Sequence, residues 1–125
     1  MKYTQTEKAP KAVGPYSQAI VSNGFVFCSG QIGIDPSTNE LVDGLEKQVH
    51  QVIKNLNEVL NSSNSSLEHV VKTTVYLSDI TNYPKMNEIY AEYFSNHKPA
   101  RAAFAVAALP KDALIEIEAV AEIKE

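Results

Sequence analysis

Ala19-Ile20-Val21-Ser22-Asn23-Gly24-Phe25-Val26-Phe27-Cys28 holds two β-prone runs around an Asn-Gly pair. Asn-Gly accepts positive φ at both centres of a type I′ turn, whose twist matches that of flanking antiparallel strands. The stretch therefore predicts a hairpin, Ala19–Val21 against Phe25–Cys28. A further short strand falls near Lys2–Thr6. Beyond the turn-rich stretch Asp35–Asn39, the period of the apolar residues changes. Leu45, Val49, Val52, Leu56, Val59 and Leu60 recur at helical spacing, with Lys47, Lys54 and Glu58 on the other side. A helix is expected from about Gly44 to Asn61, with Asp43 as N-cap and Glu46 completing a capping-box pattern. Asn61-Ser62-Ser63-Asn64-Ser65-Ser66 then reads as a loop, because these side chains compete for backbone hydrogen bonds.

A strand follows at Val70–Leu77. A second helix is expected over Asn82–Asn96, with Pro84 in its first turn, an apolar face of Met86, Ile89, Tyr90, Tyr93 and Phe94, and His97 and Lys98 at its end. Arg101–Ala107 and the run from Ile115 to Ile123 close the chain as strands around a turn at Leu109–Asp112. In the last strand Ile115, Ile117, Ala119 and Ala121 alternate with Glu116, Glu118, Val120 and Glu122, giving one core face and one more polar face. The order β-β-β-α-β-α-β-β makes an α+β fold, two helices packed on one face of a mixed sheet, in a single domain over 1–125. The other sheet face keeps apolar residues with no helix to cover them, so self-association is expected.

Composition narrows the function. The 125 residues carry a net charge of −4 and no basic stripe, which disfavours nucleic acid and anionic membrane as partners. The single cysteine, Cys28, excludes an internal disulfide and suits a reducing compartment. No apolar run reaches the length of a membrane helix, and Met1–Thr6 has no signal-peptide core. The expected location is the cytoplasm. His50, His69 and His97 lack ligand spacing, so no metal is expected. Phosphate-binding and dinucleotide motifs are missing, so no cofactor is indicated.

Arg101 stands apart. Of eleven basic residues it is the only arginine. Its planar fork matches a carboxylate through two parallel hydrogen bonds. It reads either as an anchor for a small acid or as a structural ion pair with Glu116 or Glu118. Those two glutamates share one strand face, and one of them could steer a water or a proton; an ordinary solvated face is the alternative. Gly30, in Cys28-Ser29-Gly30-Gln31, allows close backbone approach to a ligand, or marks a bulge. Tyr16, in Gly14-Pro15-Tyr16-Ser17, lines a pocket or packs on a turn. Cys28 within a strand reads as a packed thiol rather than a nucleophile.

Taken in order, Gly14-Pro15-Tyr16-Ser17-Gln18-Ala19, Ser29-Gly30-Gln31-Ile32-Gly33, Val71-Lys72-Thr73-Thr74-Val75, Asn87-Glu88-Ile89-Tyr90, Pro99-Ala100-Arg101-Ala102-Ala103, Leu109-Pro110-Lys111-Asp112 and Ile115-Glu116-Ile117-Glu118-Ala119 resemble the RidA/YjgF family of reactive intermediate deaminases over nearly the whole chain. The resemblance implies a chorismate-mutase-like fold and a homotrimer with sites in clefts between subunits. It implies hydrolysis of 2-iminobutanoate and 2-iminopropanoate, released by PLP-dependent dehydratases, to 2-oxo acids and ammonia. Arg101 would then bind the substrate carboxylate and Glu116 would orient the water. Backbone N–H groups near Gly30 and Ala103 would meet the reacting end, Tyr16, Ser29 and Asn87 would shape the pocket, and Glu118 would be structural. Many bacterial members carry Cys at the position of Ala103, so thiol-based switching is not expected here. The connection Ser95–Lys98 is also shorter than in some of them. A small-acid-binding regulator without catalysis and an RNA-acting, translation-inhibiting protein are the competing readings; the acidic balance counts against the second.

Overall fold

A computed structural model describes all residues from Met1 to Glu125. The strands are β1 (Lys2–Thr4), β2 (Ala19–Ser22), β3 (Phe25–Ile32), β4 (Ile34–Asp35), β5 (Glu40–Leu41), β6 (Val70–Leu77), β7 (Ala100–Ala105) and β8 (Ile115–Glu122). The helices are α1 (Leu45–Ser62) and α2 (Tyr83–Tyr93), and single 3₁₀ turns lie at Leu67–His69, Ile80–Asn82 and Pro110–Asp112. Six strands form one sheet in the order β1-β2-β3-β8-β6-β7. All its pairings are antiparallel except β6 with β7. The sheet is thus mixed, as expected, because α2 makes the crossover that parallel strands require.

The β2–β3 hairpin turns at Asn23 and Gly24, with φ of 52° and 82° as its sequence predicts. The small β4–β5 hairpin was not expected. Asp35 accepts from the backbone N–H and hydroxyl of Ser37, and Asn39 takes a φ of 62°, which together reverse the chain.

Both helices cover one sheet face. Val49, Val52, Ile53, Leu56, Val59 and Leu60 of α1 pack with Met86, Ile89 and Tyr90 of α2 on Val26, Val75, Leu77, Ile115 and Ile117. This core closes without a disulfide, and Cys28 lies inside it with burial pushing its thiol up to about 12. Two buried amides tie α1 to backbone groups outside it. Asn55 donates to the carbonyls of Ile32 and Ile34, and Gln48 bridges the Val42 carbonyl and the Leu114 N–H.

Three local expectations are corrected. The N-cap of α1 is Gly44, at φ 87°, with no side-chain cap bond from Asp43. Glu46 pairs instead with Lys85 at 3.5 Å. The second helix ends at Tyr93, so His97 and Lys98 lie beyond it, and His97 hydrogen-bonds the Val70 carbonyl. Tyr93 is exposed rather than part of the apolar face, because its hydroxyl meets His50 Nδ1 at the surface.

The opposite sheet face has no covering layer. It presents Tyr3, Phe25, Phe27 and Phe104, all exposed, with Phe104 edge-on to Tyr76. No helix is long and apolar enough to cross a membrane.

Candidate active site

The arrangement starts with Arg101, in the second position of β7 and in register with Thr73 of β6. Paired residues share a sheet face. Thr73 is buried under α2 and bonds the Tyr90 hydroxyl, so Arg101 also projects toward α2. There its Nη1 donates to Asn87 Oδ1 at 2.8 Å and its Nη2 to the Tyr83 hydroxyl at 2.6 Å. The Tyr90 ring packs against the guanidinium, 4.8 Å from centroid to Cζ. All three partners are neutral. The only ion pairs in the chain belong to Lys85, so Arg101 has no carboxylate partner. A structural ion pair with Glu116 or Glu118 is therefore absent. Tyr83 and Asn87 hold two of the five guanidinium N–H donors and leave the others for a ligand.

The second group lies on the uncovered face. Glu116 of β8 is half-buried beside the irregular part of β3, where the pairing register shifts between Cys28 and Gln31. A Cβ on Gly30 would lie 2.0 Å from Glu116 Oε2 and 2.8 Å from its carboxyl carbon. Glycine is needed there for space: the carboxylate rests where any side chain would be. Burial raises the Glu116 carboxyl above the ordinary range, and the neighbouring Glu118 raises it further. Glu118 itself accepts from the Tyr76 hydroxyl. Ser29 ties the preceding loop to this place, its hydroxyl donating to the Ser17 carbonyl at 2.6 Å and its N–H to the Gln18 carbonyl at 3.0 Å. Gln18 in turn clasps the segment before it through the Thr6 N–H and the Thr6 and Pro10 carbonyls. Tyr16, Ser29, Gly30 and Glu116 thus line one cavity of about 510 Å³.

Arg101 and Asn87 line a different cavity, of about 370 Å³. Two strand spacings separate β7 from β8, and three residues of rise separate the Arg101 row from Glu116, so the two lie about 14 Å apart. They also project from opposite sheet faces. Ala103 sits on β7 with its methyl toward the core, and β7 is an edge strand whose outer backbone groups face away from β6. One chain therefore keeps the guanidinium at the β7 edge and the half-buried acid on the open face, in separate cavities.

Gly30→Ala is expected to push the Glu116 carboxyl off β3 while leaving the core intact. A displacement of about 1 Å near a reacting centre costs about 10²-fold in rate. Imine-clearance kinetics beside a thermal melt check this. Loss of rate with the melt preserved is the expected outcome.

Tyr83 was not singled out from sequence and Tyr90 was read only as part of the apolar face of its helix, although a further signal was available. With Asn87 they stand at i, i+4 and i+7 of one helix, a single face that meets Arg101. No cluster of three or more His, Cys, Asp or Glu side chains is placed to hold a metal ion.

Comparison with known proteins gives the fold a family. The family model described as endoribonuclease L-PSP matches residues 6–123. A RutC family protein of Pyrococcus abyssi is 55% identical over 117 residues, 93% of this chain and 92% of that protein. The human protein named 2-iminobutanoate/2-iminopropanoate deaminase is 51% identical over 117 residues, 93% of this chain and 85% of that protein. The crystal structure of RidA from the Antarctic bacterium Psychrobacter sp. PAMC 21119 superposes with a TM-score of 0.96 at 43% identity, covering 98% of this chain and all of that one.

Proposed function

Because the chain belongs to the endoribonuclease L-PSP family, several of whose members here are named imine deaminases, we propose that it hydrolyses reactive 2-imino acids to 2-oxo acids and ammonia. The observation that carries this reading is the guanidinium of Arg101, held by neutral groups, unpaired with any carboxylate, and open to a cavity.

Arg101 and Glu116 need a second copy to meet. A ring of three chains places the β7 edge of one against the Glu116 side of the next, which also covers Phe25, Phe27 and Phe104. In that cleft Arg101 takes the substrate carboxylate through its free N–H donors. Asn87 and Tyr83 fix the fork's orientation. The imine carbon then lies by the Glu116 carboxylate of the partner subunit. Glu116 accepts a proton from a water as that water adds to the protonated C=N, and then delivers it to the nitrogen of the resulting amino alcohol. Ammonia leaves as the C–N bond breaks, and the hydroxyl proton passes to Glu116 as the C–O bond becomes the carbonyl. Backbone N–H groups near Gly30 and Ala103 hydrogen-bond at the reacting end and help fix its position. Tyr16 and Ser29 shape the wall. No group beyond these is required, because a protonated imine is already electrophilic and the enzyme mainly supplies position and proton transfer.

A threonine dehydratase releasing 2-iminobutanoate, with semicarbazide trapping what escapes hydrolysis, tests the proposal. Addition of this protein is expected to suppress the semicarbazone and leave total 2-oxobutanoate unchanged. An undiminished semicarbazone signal would contradict the reading.

A further inference from the structure

We infer that the cleft prefers imino acids with a second acidic group, 2-imino dicarboxylates, and that Lys98 is the residue that recognises it. The inference rests on the assignment of Arg101 to the substrate carboxylate. The cavity that receives Arg101 is lined by Lys98 as well, together with Asn87, Tyr90, Phe94 and Pro99. No Asp or Glu lines that cavity. Lys98 forms no ion pair within the chain, nor does Arg101. Two cations therefore share one small concavity in a protein whose net charge is −4, and nothing in the chain neutralises either.

The two are matched to different tasks. Arg101 is fixed by two hydrogen bonds and a ring, so its free donors present one geometry, suited to the invariant carboxylate of any 2-imino acid. Lys98 lies three residues earlier, exposed, at the mouth. Pro99 holds it extended ahead of the strand, since the ring of a proline disfavours helical backbone in the residue before it. Its flexible stem and compact ammonium follow a charge whose position varies with side-chain length. A substrate with an apolar side chain leaves Lys98 solvated. One with a side-chain carboxylate, such as 2-iminosuccinate or 2-iminoglutarate, pairs with it. The reaction is unchanged: one water enters, the C=N bond is replaced by C=O, and ammonia leaves. The reaction class that supplies such imines is oxidation of acidic amino acids.

The test compares clearance of 2-iminosuccinate and 2-iminoglutarate, made in place by amino-acid oxidases acting on aspartate and glutamate, with clearance of 2-iminobutanoate. The full-length protein is used in its native oligomeric state. An exposed ion pair supports a preference of about fivefold at most. The wild-type kcat/KM ratio of dicarboxylate to monocarboxylate imine is expected to exceed unity. It should fall several-fold in Lys98→Gln, through KM, and persist in Lys98→Arg. Raised salt should erode the ratio in the wild type and in Lys98→Arg but not in Lys98→Gln. A ratio at or below unity, or one that Lys98→Gln leaves unchanged, overturns the inference while the hydrolase reading stands. Failure to clear any imine overturns both.

Discussion

Arg101→Ala is expected to lower kcat/KM for 2-iminobutanoate by about 10²–10⁴-fold. Two hydrogen bonds from a guanidinium to a carboxylate are worth about 1.5–3 kcal/mol each, and the substrate offers little else to hold. The fold should survive. Arg101 lies on an edge strand, its partners Asn87 and Tyr83 are neutral, and its packing on Tyr90 contributes about 0.5–1 kcal/mol. Removing it leaves no buried charge unpaired. The variant should therefore melt within a few degrees of the wild type while semicarbazone accumulates as if no enzyme were present. Arg101→Lys keeps the charge but loses the fork, and should recover only part of the rate.

Glu116→Gln should cost about 10²–10⁴-fold in kcat, the usual worth of a positioned acid–base group, with KM little changed. Its pH behaviour separates this from a structural defect. Burial and the neighbouring Glu118 raise the folded-state carboxyl above its unfolded value. A group raised in this way favours the fold while protonated, and that contribution is lost as pH rises through the folded value. At neutral pH the ionised Glu116 thus weighs against stability, and Glu116→Gln should melt no lower than wild type there. Activity runs the other way, since the ionised form accepts the proton. The wild-type rate should fall on acidification along a limb that begins above the ordinary glutamate range. The residual rate of the Gln variant should lack that limb.

Much of the architecture was legible because it follows from periodicity. The Asn23-Gly24 turn, the α1 stripe and the strict alternation of Ile115–Glu122 each depend on local spacing, and each appears in the structure. What stayed hidden depends on partners distant in sequence. Gln18, Gln48 and Asn55 are polar yet buried, because each satisfies backbone groups of another segment. No spacing rule marks them. The cap at Gly44 displaced Asp43 because the chain turns there through positive φ, and Glu46 found Lys85 from another helix. For the site, composition singled out Arg101 and left its partner open between a ligand and an internal acid. Only the sheet register, which puts Arg101 under α2 and Glu116 on the far face, removes the internal ion pair. The same register keeps Arg101 and Glu116 apart within one chain. The requirement for Gly30 is also a matter of space in three dimensions, since its neighbour Glu116 is far away in sequence.

The central claim is that Arg101 of one copy and Glu116 of another act on the same molecule. Mixing settles it. Arg101→Ala and Glu116→Gln protein, each nearly inactive, are unfolded together in equal amounts and refolded into mixed assemblies. If each site draws one residue from each of two neighbours, about a quarter of the sites in random trimers regain both groups. Imine clearance should return to about that fraction of wild type. Mixed assemblies as inactive as their parents would contradict the account.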